Sequence, residues 1–137
     1  ECAEREWVDP DNFDRSFTDQ WTTQAMREAQ RISGLPIPNQ PQGVVDLYDV
    51  ADDWIPIYDK SDLPGFYMAV GTSGNQYKNA PVAGVLLAEL IEKVEAGNDH
   101  DKNPVKFLMK FTGRECNIGF FSRLREINPD SSFSVIG

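Results

Sequence analysis

The segment FYMAVGTSGNQYKNAPVAGVLLAELI, residues 66–91, contains the clearest structural signals of this chain. Its first residues form a continuous apolar run, which predicts a strand buried on both faces. A loop with glycines and polar residues follows at 71–79. Pro81 suits the first turn of a helix, and apolar residues recur at helical spacing as far as Val94. The segment therefore predicts a strand, a glycine loop and a helix in that order.

The flanking sequence predicts further elements of both kinds. Apolar residues three and four apart indicate a core-facing helix at about 13–33, capped by Asp11 or Asp14. Alternation predicts a strand at 45–50, and a short helix is expected at 104–111. Helices and strands together predict an α+β fold.

Composition and charge exclude several classes of function. The chain has 137 residues and a formal net charge of -9, with 13 basic and 22 acidic residues. That balance argues against nucleic acid or an anionic membrane as partner. No apolar run approaches the roughly 20 residues that a membrane span needs. Cys2 and Cys116 lack metal-type spacing, so no metal site is expected, and a reducing, cytoplasmic compartment is the prediction.

The glycine loop fits none of the known phosphate-binding patterns. A P-loop requires Gly-Lys followed by Ser or Thr, but Lys78 lies between Tyr77 and Asn79. Gly71 and Gly74 do not form the dinucleotide pattern G-x-G-x-x-G. A loop at a helix start still offers unpaired N–H groups to an anion or cofactor. Anion or cofactor binding and a tight strand–helix connection both remain open from these residues.

Other candidate residues carry weaker signals. The sequence at 99–110 begins like a calcium loop but has Pro104 and Lys110 where glycine and glutamate are required. Asp52 and Asp53 are adjacent, so in a strand they would point to opposite faces. His100 is predicted to be a surface residue. The serines near the end of the sequence lack a nucleophile-elbow context: Ser131, Ser132 and Ser134.

The order of these pieces resembles a known family. LYDVADDWIPIYDK followed by LPGFYMAVGTSGNQYKNAPVAGVLLAELI is similar to the C-terminal part of the FAD-dependent amine oxidoreductases. These belong to the D-amino-acid oxidase superfamily, in its sarcosine oxidase and glycine oxidase branch. The resemblance covers about residues 44–95 and is weaker before them. It implies a C-terminal fragment of an FAD-binding α/β domain plus part of an antiparallel-sheet substrate domain.

The resemblance also implies site residues. The family loop lies along the flavin, and its basic residue, here Lys78, holds the substrate carboxylate. Asn75 and Gln76 stand where histidine and glycine are common, which leaves the substrate open. Asp53 matches a family aspartate that forms a turn near the ring. The implied cofactor-binding residues are Gly71, Thr72, Ser73, Gly74, Asn75, Gln76, Tyr77 and Lys78.

The implied cofactor is noncovalent FAD, because some members attach flavin through a cysteine a few residues before the aspartate turn and this chain has no cysteine between Cys2 and Cys116. The implied organisation has substrate-domain residues at 1–60, FAD-domain residues at 61–97 and an extension at 98–137. A full-length parent would oxidise a small amine or amino acid by hydride transfer, as oxidase or dehydrogenase. The isolated chain would be inactive, because its N-terminal FAD domain is missing.

Two alternatives belong to other functional classes. The chain could be a non-catalytic small subunit or interaction module of a larger oxidase, which its acidic charge would suit, and an oligomer is then possible. It could also be an independent anion-binding domain. Flavin absorbance would separate both from the first hypothesis.

Overall fold

The computed structural model describes residues 7–133 and divides the chain into two compact units, residues 1–47 and 48–137. Helices and small antiparallel sheets occur together, so the α+β prediction is confirmed. Cys2 and Ser134, which the sequence analysis considered, lie outside the described residues.

The first unit contains one helix, α1 (Asp19–Ala29). It is shorter than the predicted 13–33, and its N-cap is Thr18, whose hydroxyl accepts the N–H of Trp21 at 3.1 Å. Phe17 stacks on Trp21 with ring centroids 4.6 Å apart. No residue of α1 is buried, so the expectation of a core-facing helix was wrong. A unit of this size has too little apolar surface to enclose a helix.

The second unit is built on a hairpin and one long helix. Strand β1 (Ile57–Lys60) pairs antiparallel with β2 (Tyr67–Val70), and Ile57 lies opposite Val70. After a single 3₁₀ turn at Tyr77–Asn79, helix α2 (Ala80–Glu95) follows, with its proline in the first turn as predicted. Within α2, Leu86 and Leu90 are the buried residues.

A second hairpin completes this unit. Strand β3 (Lys106–Leu108) pairs with β4 (Glu115–Asn117), and a 3₁₀ turn at Ile118–Phe121 follows. Among the described residues, one core cluster combines four buried apolar residues from α2 and this hairpin region: Leu86, Leu90, Val105 and Ile118.

Three sequence predictions for this unit were wrong. Residues 104–111 contain the short strand Lys106–Leu108 rather than a short helix, because β4 provides the pairing partner and tertiary pairing overrides a short periodic signal. Residues 45–50 are extended but form no strand. Strand β2 is not buried on both faces, since Ala69 and Val70 are exposed.

Candidate functional site

The glycine loop begins directly after β2 and has an unusual backbone. Gly71, Ser73 and Gly74 adopt φ angles of 67°, 50° and 76°. Ser73 is the exception among them, because a residue with a Cβ rarely adopts this region. Its side chain is fully buried, and its hydroxyl donates to the carbonyl of Gly71 at 3.2 Å. The surrounding structure must hold this loop in place.

The main holding group is the carboxylate of Asp49. The N–H groups of Gly71 and Thr72 donate to its Oδ2 at 2.8 and 3.1 Å, and the Thr72 hydroxyl donates to its Oδ1. The N–H of Ser73 donates to the Asp49 main-chain carbonyl at 2.9 Å. Successive N–H groups that converge in this way form an anion-binding nest. Here an anion of the chain itself occupies the nest.

These contacts change the titration of Asp49. Partial burial opposes ionisation, but the hydrogen bonds from Thr72 and Gly71 outweigh it, so the pKa of Asp49 is lowered. The carboxylate is therefore ionised at neutral pH, and the nest is filled by a negative charge.

The glycine at 74 has a packing explanation. A Cβ at this position would lie 2.7 Å from Cε1 of Tyr48, and the φ of 76° adds strain for any other residue. Gly71 is similar but less crowded, since a Cβ there would lie 3.1 Å from the Cβ of Ala51. The segment 48–51 thus forms the support beneath the loop.

The second half of the loop is arranged differently. The Gln76 side-chain oxygen accepts from the hydroxyl of Tyr58 at 2.9 Å and from the amide of Asn79 at 3.1 Å. Tyr77 is 98 % exposed and Lys78 is also exposed. Among residues 7–133, the Lys78 amine and the N–H groups of Tyr77 and Lys78 have no hydrogen-bond acceptor. These donors are available to a ligand.

The loop lies on an open surface. The two best-defined hollows among the described residues have volumes of about 300 and 220 Å³. Neither is lined by a residue of the range 71–78. Small-molecule sites normally bury most of the ligand surface. A ligand at this loop therefore needs further surface to enclose it.

A charged cluster lies at the opposite end of the first hairpin, and the sequence analysis did not predict it. Asp59 is fully buried and accepts from the Ser122 hydroxyl at 2.9 Å and from the N–H and Nη1 of Arg123 at 2.8 and 3.2 Å. Arg123 also binds Asp101 at 2.9 Å. Hydrogen bonds from Arg123, then from Lys60, hold the pKa of Asp101 far below its usual value.

His100 belongs to this cluster, and the prediction of a surface residue was wrong. It is 1 % exposed, and its Nδ1 accepts the N–H of Val105 at 3.0 Å. The proton therefore lies on Nε2, which is 3.7 Å from Oδ1 of Asp59 and has no hydrogen bond. Burial lowers the pKa of His100, against the attraction of Asp59 and Asp101. The imidazole is neutral at neutral pH.

A second buried ion pair supports the segment beneath the glycine loop. Asp53 is 1 % exposed and lies in a turn, as predicted. Arg125 donates to both its oxygens, at 2.9 and 2.6 Å, and also to the carbonyl of Ile55. The hydrogen bond from Arg125 lowers the pKa of Asp53 to about 2. Ser131 donates its hydroxyl to the Asp53 carbonyl.

The structure thus brings some predicted residues together and separates others. The loop residues 71–78 are contiguous, but four of them use their main-chain donors within the chain. The missed residues are Asp49, Asp59, Arg123 and Arg125. For the last two the sequence offered one signal, a pair of arginines only two positions apart.

Neither a metal site nor a membrane-spanning helix is found in the described part of the chain, and comparison with known proteins gives no match. Within residues 7–133, no group of three or more His, Cys, Asp or Glu side chains is arranged to hold a metal ion. No helix in that range is both long and apolar enough to cross a membrane. The chain matches no family model, no curated protein and no solved structure.

Proposed function

We propose that this chain is the C-terminal part of an FAD-dependent oxidoreductase that oxidises a small amine or amino acid. The observation that carries the proposal is the loop 71–78. It follows an antiparallel strand, is held in a strained conformation, and presents Tyr77 and Lys78 at the start of α2. This order agrees with the resemblance of residues 44–95 to the amine oxidoreductases.

The residues at the helix start fit one part of a flavin. Tyr77 and Lys78 belong to the 3₁₀ turn that leads into α2, close to the positive end of the helix dipole, and the lysine adds a full charge. Such donors stabilise negative charge at the pyrimidine end of the ring. The flavin supplies the hydride acceptor when it is bound. The chain contributes the electrostatics, and Lys78 holds the substrate carboxylate.

Most loop residues before Tyr77 have fewer free hydrogen-bonding groups for a ligand than Tyr77 and Lys78 have. The N–H groups of Gly71, Thr72 and Ser73 are already bound to Asp49. The Gln76 side chain is bound to Tyr58. In the proposed site, the part of the loop that meets the ligand is therefore short and begins near Gln76.

Exposed apolar side chains support the proposed missing FAD domain. Val82 and Val85 of α2 are 43 % and 49 % exposed, and Phe66 beside β2 is 54 % exposed. Together with the open surface around the loop, they suit a neighbouring domain that covers α2 and encloses the ligand. The same apolar residues favour the alternative of an interaction module in a larger oxidase.

The amide nest of the loop is already occupied by the carboxylate of Asp49, which does not favour the third alternative, an anion-binding domain.

The first test is spectroscopic. The full-length protein, purified from its natural reading frame, is expected to show the visible absorbance bands of a flavin. The flavin should be released on denaturation, because the proposed attachment is noncovalent. A protein without these bands would contradict the proposed function and favour the alternative of an interaction module.

The second test concerns Lys78. Lys78→Ala should raise the KM for a carboxylated amine roughly 10- to 100-fold, since a hydrogen bond to a charged group contributes about 1.5–3 kcal/mol. The control is Lys93→Ala, near the other end of α2, where the amine lies 3.6 Å from Glu89. The control should leave the KM unchanged. An unchanged KM in Lys78→Ala would remove this lysine from the substrate role.

A further inference from the structure

The support beneath the glycine loop has a consequence for the ligand-facing residues. Asp49 accepts three hydrogen bonds from Gly71 and Thr72, while its own carbonyl accepts one from Ser73. In a loop that binds an anion, donors of this kind would face the ligand. In this chain they face the carboxylate of Asp49, which lies 22 residues before Gly71 in the sequence.

The segment that carries Asp49 is itself fixed at both ends. At one end the ring of Tyr48 lies against Gly74, with no space for a Cβ between them. At the other end the carboxylate of Asp53 is bound by two nitrogens of Arg125. Asp49 therefore connects the loop to a segment that is held from outside the loop by the Asp53–Arg125 ion pair.

The loop needs this support, because its backbone is strained. Ser73 has a φ of 50° and a fully buried side chain. A non-glycine residue in this region is strained and persists only where the surroundings impose it. The hydrogen bonds to Asp49 come from the N–H groups of residues 71–73 and the Thr72 hydroxyl, so they hold the backbone that leads into Ser73.

We propose that Asp49 is a positioning residue, whose carboxylate fills the amide nest of the loop in place of a ligand anion. By fixing residues 71–73 it sets the orientation of the free N–H groups and the amine at Tyr77 and Lys78. The claim that Asp49 orients Tyr77 and Lys78 toward a ligand rests on the proposed function. The claim that Asp49 holds residues 71–73 depends only on the hydrogen bonds described above.

Hydrogen exchange on the full-length protein, read by mass spectrometry, tests the loop. In Asp49→Ala the amides of Gly71 and Thr72 lose their side-chain acceptor and should exchange at least about tenfold faster than in the wild type, while the Ser73 amide keeps the main-chain carbonyl of residue 49. Asp49→Asn should restore most of the protection, because its amide oxygen accepts the two N–H groups and its NH₂ can donate to Thr72. Peptides around Leu90, in the core, report whether each variant is folded.

The matched control is Asp46→Ala. Asp46 is three residues away, and within residues 7–133 its carboxylate accepts only the neighbouring N–H of Leu47, at 2.9 Å. Exchange at residues 71–73 should be unchanged in this control. Unchanged exchange in Asp49→Ala, or equal acceleration in the alanine and asparagine variants, would overturn the proposal.

Kinetics test the link to Lys78. Asp49→Ala should raise the KM for a carboxylated amine about tenfold, and the double variant with Lys78→Ala should lose no more than Lys78→Ala alone. Fully additive losses would show that Asp49 does not act through Lys78 and would overturn that link. A wild-type protein without flavin would refute the proposed function, while the exchange result would still decide whether Asp49 holds the loop.

Discussion

The two ends of the β1–β2 hairpin are held by different chemistry. At the turn end, the buried carboxylate of Asp59 meets the guanidinium of Arg123, which also binds Asp101. At the loop end, the carboxylate of Asp49 meets neutral N–H groups of the glycine loop. The first contact is between opposite charges in the interior, and the second is between one charge and backbone dipoles near solvent.

This difference determines what each end tolerates. A buried ion pair depends on both partners, because the removal of one leaves a desolvated charge behind. A carboxylate bound to N–H groups near solvent can be replaced by a neutral acceptor at lower cost. We therefore expect the turn end to control the stability of the fold, and the loop end to control the geometry of the candidate site.

The largest expected effect is at Arg123. Arg123→Met should lower the free energy of unfolding by roughly 3–5 kcal/mol, because Asp59 loses its buried counter-charge. Denaturant unfolding followed by circular dichroism measures this. The control is Lys106→Met, which removes an exposed pair with Glu115 and should cost less than about 1 kcal/mol. Equal losses in the two variants would break the contrast between buried and exposed pairs.

The next effect concerns Asp53, which lies in the segment beneath the glycine loop. Its buried ion pair with Arg125 resembles the Asp59–Arg123 pair at the turn end. The pKa of Asp53 is about 2, against an ordinary value of 3.8. Its stabilisation is therefore complete above pH 3.8 and is lost as the pH falls through about 2. It amounts to roughly 2 kcal/mol, at about 1.4 kcal/mol per pH unit.

Unfolding at several pH values measures this contribution. Asp53→Asn and Arg125→Gln should both be less stable than the wild type at neutral pH, and each difference should shrink between pH 4 and pH 2. A difference that stays constant with pH would mean that charge does not hold Asp53 in place.

Gly74 gives a smaller effect at the loop end. Gly74→Ala should destabilise the protein by about 1–2 kcal/mol, because it combines a φ of 76° with a clash against Tyr48. The matched control is Gly84→Ala in α2, where no atom lies within 4 Å of the added Cβ. There the same change should stabilise by roughly 0.5–1 kcal/mol. Thermal unfolding of both variants compares them, and a Gly74→Ala protein as stable as the wild type would contradict the described loop.

The smallest effect is at His100 in the turn-end cluster. Burial lowers its pKa below the ordinary 6.5, while Asp59 and Asp101 raise it and Lys60 and Arg123 lower it further. The unfolded chain therefore binds a proton first, and stability should fall as the pH drops below 6.5. The slope is at most about 1.4 kcal/mol per pH unit.

The His100 prediction is checked by the pH dependence of unfolding between pH 7 and pH 5. The variant His100→Gln should lack this slope, whatever its absolute stability. A variant with the same slope as the wild type would show that another group titrates in this range.

The sequence predicted local features of this fold well and distant ones poorly. Pro81 and the apolar spacing after it predicted α2, since a helix depends on neighbouring residues. Residues 104–111 were misjudged because their strand depends on β4. The loop 71–78 was located correctly as a feature, but its partner Asp49 was not, because nothing local indicates which carboxylate reaches a given N–H group. His100 was misjudged for the same reason.

The two arginines of the final segment also affect how the chain is made. Arg123 lies 64 residues after Asp59, and Arg125 lies 72 residues after Asp53. At a synthesis rate of about 5–20 residues per second, roughly 3 to 13 seconds pass between the synthesis of Asp59 and that of its partner Arg123. During that time Asp59 in the hairpin and Asp53 in the turn before it lack their arginine partners. The two ion pairs therefore form only after Arg123 and Arg125 have left the ribosome, and fragments that end before Arg125 should be targets for proteases and chaperones.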